Sequence, residues 1–137
     1  MRSYLHKFKL LRLGRKLGWT VGLNCFGPGR CIVHYGTVVV NGNARIGEIA
    51  RLHAGVNIGA NGGSKECPKI GDNVYFGPGA KVFGDITIAS NVAIGTNAVV
   101  NRSFEEEGVT IAGVPARIVS HKGTEKIIKR YKENDSQ

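Results

Sequence analysis

The sequence predicts an all-β protein, a parallel β-helix of stacked triangular coils, on three observations. Large apolar residues recur at every sixth position, small or apolar residues follow each by four, and turn formers fill the gaps. From Val40 the first series reads Val40, Ile46, Leu52, Ile58, Ser64, Ile70, Phe76, Val82, Ile88, Ile94 and Val100. Ten of these eleven are large and apolar, where a chain that is 42% hydrophobic gives about five by chance. The second series reads Ala44, Ala50, Val56, Gly62, Pro68, Val74, Ala80, Ile86, Val92 and Ala98. Between the two lie Asn41-Gly42-Asn43, Gly71-Asp72-Asn73, Gly77-Pro78-Gly79 and Gly95-Thr96-Asn97.

A six-residue period fits neither the 3.6-residue repeat of an α-helix nor the two-residue repeat of a simple strand. A short strand followed by a corner fits it. Three such hexads close a coil of about 18 residues, and coils stack by parallel pairing because one coil alone cannot bury its apolar side. Residues 59–69 keep the phase but lose the large inward residue. The run Ala60-Asn61-Gly62-Gly63-Ser64-Lys65-Glu66-Cys67 reads as a coil edge that loops out, a place where function tends to sit.

At 137 residues the chain has room for one domain with a core. Its 20 glycines, 7% aromatics and single Met suit repetitive β structure better than a helical bundle. No run is long enough to span a bilayer, and no signal peptide is read at the start. Cys25, Cys31 and Cys67 are an odd number without a CxxC pair, which reads as free thiols in a reducing cytoplasm.

Residues 1–18 read as a basic amphipathic helix ending at Gly18, with Leu5, Phe8, Leu11 or Leu13, and Leu17 set among lysines and arginines. Three roles are open to it: capping the first coil, resting on an anionic membrane surface, or reaching a neighbouring subunit. Residues 19–119 form the β-helix. Residues 120–137 hold a C-terminal basic helix over 124–133 and a tail, with Thr124 as N-cap. The formal charge of +9 gathers at the two ends, and the middle lacks basic–aromatic interleaving, so nucleic acid is not expected as a partner.

The hexads, the loop at 59–69 and Gly113-Val114-Pro115-Ala116-Arg117-Ile118-Val119 together resemble the hexapeptide acyltransferases. The likeness is to the serine acetyltransferase branch and its short capsular-polysaccharide O-acetyltransferase relatives, and His34-Tyr35-Gly36-Thr37 is its most specific part. The resemblance implies a left-handed helix, an exception to right-handed crossovers, and a homotrimer with acetyl-CoA in clefts between adjacent prisms. It implies a cytoplasmic O-acetyltransferase that needs no metal.

Carried over residue by residue, His34 matches the family's general base. A hydroxyl is a poor nucleophile at neutral pH, and a neutral imidazole within reach takes its proton as it attacks a thioester. By phase His34 lies six before Val40, an inward position. His53 follows Leu52, about one coil above Tyr35, and with Tyr35 belongs to the acceptor side. Cys67 stands where the serine enzymes use a second histidine near the acceptor. Backbone N–H groups at 59–63 are candidate oxyanion donors.

For the cofactor, the resemblance points to Gly59, Ala60, Pro78, Thr96, Pro115 and Ala116, with Arg117 and Lys122 for its phosphates. Trp19 and Val33 occupy positions where the serine enzymes carry acids. That substitution favours a sugar hydroxyl as acceptor over serine. Two rival readings are a metal enzyme like the γ-class carbonic anhydrases, which needs three converging histidines, and a non-catalytic binding or assembly protein.

Overall fold

A computed structural model describes residues 2–127; Met1 and residues 128–137 lie outside the described residues, and with them most of the expected C-terminal helix. Helix α1 (Arg2–Leu17) leads the chain. Gly18 ends it at a φ of 71°, the left-handed conformation that glycine adopts without steric cost. Short strands follow: β1 (Trp19–Val21), β2 (Cys31–Ile32), β3 (Val38–Val40), β4 (Arg45–Ile46), β5 (Arg51–Leu52), β6 (Asn57–Gly59) and β7 (Lys69–Ile70). Then come β8 (Tyr75–Phe76), β9 (Lys81–Phe83), β10 (Thr87–Ile88), β11 (Ala93–Ile94), β12 (Val99–Val100), β13 (Thr110–Gly113) and β14 (Ala116–Ser120).

The strands form three parallel sheets, the faces of a triangular prism. The first face is β1-β3-β6-β9-β12, the second β4-β7-β10, and the third β2-β5-β8-β11-β13 with β14 added antiparallel at the top. Each coil runs from first face to second to third. The inward residues form ladders. Val40 pairs with Ile58 and Ile70 with Ile88, eighteen residues on, but Ile46 pairs with Ile70, twenty-four on. The loop therefore inserts one whole hexad, which is why the sequence phase survives it.

Leu52, Ile58, Phe76, Val82, Ile94 and Val100 are fully buried, each contributing roughly 1.5–3 kcal/mol. Corners between the second and third faces place Gly29, Ile49, Asn73, Asn91 and Gly108 at positive φ, which explains the Asn and Gly of the turn runs.

Three expectations are corrected. The helix packs on β1 through Leu10, Gly14 and Leu17, not through Leu5, Phe8, Leu11 and Leu13, which are exposed. Gly14 lies so close to the Trp19 carbonyl that a Cβ there would sit 2.5 Å from its oxygen. Thr124 is fully buried, and helical residues 125–127 do follow it. Its hydroxyl, however, donates to the Asn73 carbonyl (3.1 Å) and accepts from Asn73 Nδ2 (3.2 Å), docking the segment rather than bonding the helix's own N–H groups. His34, third, is not inward. Five residues separate Ile32 from Val38, against three between Leu52 and Val56, and this longer corner carries His34 outside the prism, where it is exposed.

Candidate active site

The edge where the third face turns into the first gathers most of the expected site. From the first coil upward it carries residues 33–37, then His53 and Ala54, then Gly77-Pro78-Gly79, Gly95-Thr96-Asn97, and the Val114-Pro115 turn between β13 and β14. His34 and His53 lie beside each other, ring centroids 5.5 Å apart. His53 in turn lies 5.1 Å from the Tyr75 ring. One aromatic ring per coil thus climbs the third face. The register differs by two residues from the expected one. His53 stands above Val33, since Ile32 pairs with Leu52, and not above Tyr35.

Backbone and side-chain bonds fix this edge. Trp19 Nε1 donates to the Gly36 carbonyl at 3.1 Å, pinning the corner that presents His34. Lys81 Nζ donates to the carbonyls of Gly55 and Gly79, tying together the second and third corners. Burial, helped by the nearby His34 and Arg51, holds His53 below the ordinary histidine range, so its ring is neutral at neutral pH. Tyr35 is 92% exposed at the mouth of the site.

The remaining expected residues divide. Pro78, Thr96 and Pro115 line the same edge, all exposed, and Arg117 is exposed beside its top, whereas Lys122 lies across the third face, next to the Gly123 that packs on Asn91 and Gly108. Ala116 is buried in the turn, paired with Gly113, and is a correction to the expected cofactor contact. Gly59 and Ala60 lie on a different edge, between the first and second faces, at the root of the exposed loop 61–66. The first face separates them from His34 by the width of a three-residue strand, about 10 Å. Within one chain the loop amides therefore do not serve as oxyanion donors to a group held by His34.

Cys67 is the clear correction. It is 3% exposed, part of the core beside the buried Cys25, and cannot meet an acceptor. Burial and the adjacent Glu66 push its thiol pKa up, which also removes it as a nucleophile. Pro68, next in the chain, must follow Cys67 back into the stack beside Ala44, and that return buries the thiol. Among the described residues no three His, Cys, Asp or Glu side chains converge on a metal-sized site.

Tyr75 and Lys81 were not legible as site residues, and Trp19, noted only as standing where the serine enzymes carry an acid, pins the Gly36 corner. Tyr75 pairs with Arg51, twenty-four residues earlier, a register that the loop insertion hides from any count along the chain.

Residues 67–102 match the family described as bacterial transferase hexapeptide (six repeats). Those residues carry that six-residue repeat. Over 88 residues the chain is 43% identical to a serine acetyltransferase of Staphylococcus xylosus, a stretch covering 63% of this chain and 40% of that one. The crystal structure of Neisseria gonorrhoeae serine acetyltransferase superposes with a TM-score of 0.74 at 32% identity, over 87% of this chain and 47% of that chain. A serine acetyltransferase from Brucella abortus strain S19, solved in complex with coenzyme A, gives a TM-score of 0.64 at 32% identity, over 77% and 41%. The repeat and these superpositions point to left-handed winding. The chain spans between two-fifths and half of the length of these relatives.

Proposed function

We propose that this protein is an acetyl-CoA-dependent O-acetyltransferase in which His34 is the general base. The observation that carries the reading is the exposed His34 beside His53, at the foot of an edge lined by small and turn residues. Acetyl-CoA supplies the thioester to be attacked. Pro78, Thr96 and the Val114-Pro115 turn leave room along that edge for a narrow, extended arm. Arg117 offers charge-assisted donors to its phosphates. His34 takes the acceptor hydroxyl's proton as that oxygen attacks the thioester carbonyl carbon. As the carbon–sulfur bond breaks, the same imidazolium returns the proton to the departing sulfur.

A homotrimer completes the site in this reading. His34 and the loop amides at 59–63 lie at opposite margins of the first face, so a neighbouring prism must bring its loop to this one's histidine. The names of the relatives shift the acceptor from the sugar favoured by the sequence to the hydroxyl of serine. A sugar remains the second reading because of Tyr35, whose almost fully exposed ring beside His34 is a stacking platform.

Thiol release from acetyl-CoA, followed with L-serine and with free and nucleotide-linked sugars, tests both. Turnover with serine alone supports the first reading and turnover with a sugar alone the second. No turnover with any acceptor, together with no thermal stabilisation by CoA, would overturn the enzyme reading.

A further inference from the structure

Helix α1 has two faces, and the prism uses one. Leu10, Gly14 and Leu17 sit against the first coil. Because Gly14 brings the helix axis close to Trp19, the opposite face is held pointing away from the protein. That outer face is apolar. Tyr4 and Phe8, four residues apart, form one stripe with Leu5 alongside, and all three are exposed. Phe8 alone leaves 64% of its surface in water. Arg12 and Arg15 continue the stripe beyond Phe8, and Lys9 and Lys16 lie beside it. No acidic residue occurs anywhere in the helix.

We propose that this face is a docking surface for an anionic lipid membrane, on which α1 lies parallel to the surface. The occupant follows from charge. In a second copy of this chain the same helix is cationic and has no acidic residue, so joining two such faces would bring like charges together. Anionic headgroups reverse the sign. Lys9, Arg12, Arg15 and Lys16 then meet phosphate, while Phe8, Leu5 and Tyr4 enter the boundary of the acyl chains. Among the described residues no helix is long and apolar enough to cross a membrane, so the contact is peripheral. Lying on the surface in this way leaves the edge that carries His34 on the prism itself, so the inference stands apart from the acetyltransferase reading.

The test is sedimentation of the full chain with phosphatidylcholine vesicles, pure or mixed with phosphatidylglycerol, over a range of sodium chloride concentrations. Binding is expected to the mixed vesicles only, and to weaken as salt rises. Arg12→Gln with Arg15→Gln is expected to weaken partitioning about 30-fold. Phe8→Ser is expected to weaken it about tenfold or more. Both variants should keep the parent's mass by light scattering and its acetyl transfer in solution.

Several results would overturn the proposal. One is failure of the parent to bind mixed vesicles at low salt. Another is equal binding to pure phosphatidylcholine, or binding that both variants leave unchanged. A fall in oligomeric mass in either variant would assign the face to a second copy instead. Retention on duplex DNA without vesicle binding would assign it to nucleic acid.

Discussion

The middle coils and the first coil are built from the same hexads and behave differently. In the middle coils the inward residues Leu52, Ile58, Phe76 and Val82 are completely buried and the corners repeat one backbone pattern. In the first coil Trp19, Val21, Phe26 and Ile32 are only half-buried, and the corner before Val38 is two residues longer. A cavity of about 290 Å³ lined by Trp19, Phe26, Ile32 and Leu52 opens at that end. A coil in mid-stack has neighbours on both sides and is fixed by them. The first has one neighbour and a helix that meets it through three residues. The proposed general base, His34, sits on the looser coil, where a corner can lengthen without breaking a ladder on both sides.

The largest effect expected from this contrast is on activity. His34→Ala should lower acetyl transfer by about 10²–10⁴-fold while leaving the denaturation midpoint near the parent value. Turnover close to the parent rate would make His34 a corner residue only.

Stability should show the reverse preference. Phe76→Ala in mid-stack should cost about 3–5 kcal/mol by urea unfolding. Ile32→Ala in the first coil should cost about 1 kcal/mol, because much of that side chain is already in water. Equal losses would mean that something covers the first coil as fully as the others.

A smaller effect is expected at one corner that breaks its own ladder. Ile49 sits at a φ of 56°, a conformation filled by Gly29, Asn73, Asn91 and Gly108 at the equivalent corners. A β-branched side chain there is strained, and Ile49→Asn should stabilise by about 1 kcal/mol. A lower midpoint for that variant would show that the exposed isoleucine makes a contact worth more than its strain.

The smallest effect is a tilt with pH. His53 holds a proton less readily in the folded chain than in the unfolded one, chiefly through burial. As pH falls below about 6.5 the unfolded state gains a proton that the folded state does not, so stability falls with it. Above that range the contribution is constant. His53→Gln should flatten this part of the stability curve, and an unchanged slope in unfolding midpoints from about pH 8 to 5 would contradict the assignment.

By itself the sequence determined the coil. Whether Val40 or Phe76 points inward depends only on short strands and corners repeating every six residues, a local pattern that a linear count detects. It also marked the loop at 59–69 by its composition, whereas Pro78, Thr96 and Pro115 were brought together only by the resemblance to the hexapeptide acyltransferases. Vertical neighbours were decided only by the tertiary structure. The loop inserts a full hexad, preserving phase while changing which coils meet, so the His53–Tyr75 contact was invisible in the count. Two extra corner residues carried His34 from its counted inward position to the surface, and the return of the loop buried Cys67. Phase is a property of distance along the chain; a site is made by contacts across coils, and insertions alter the second without disturbing the first.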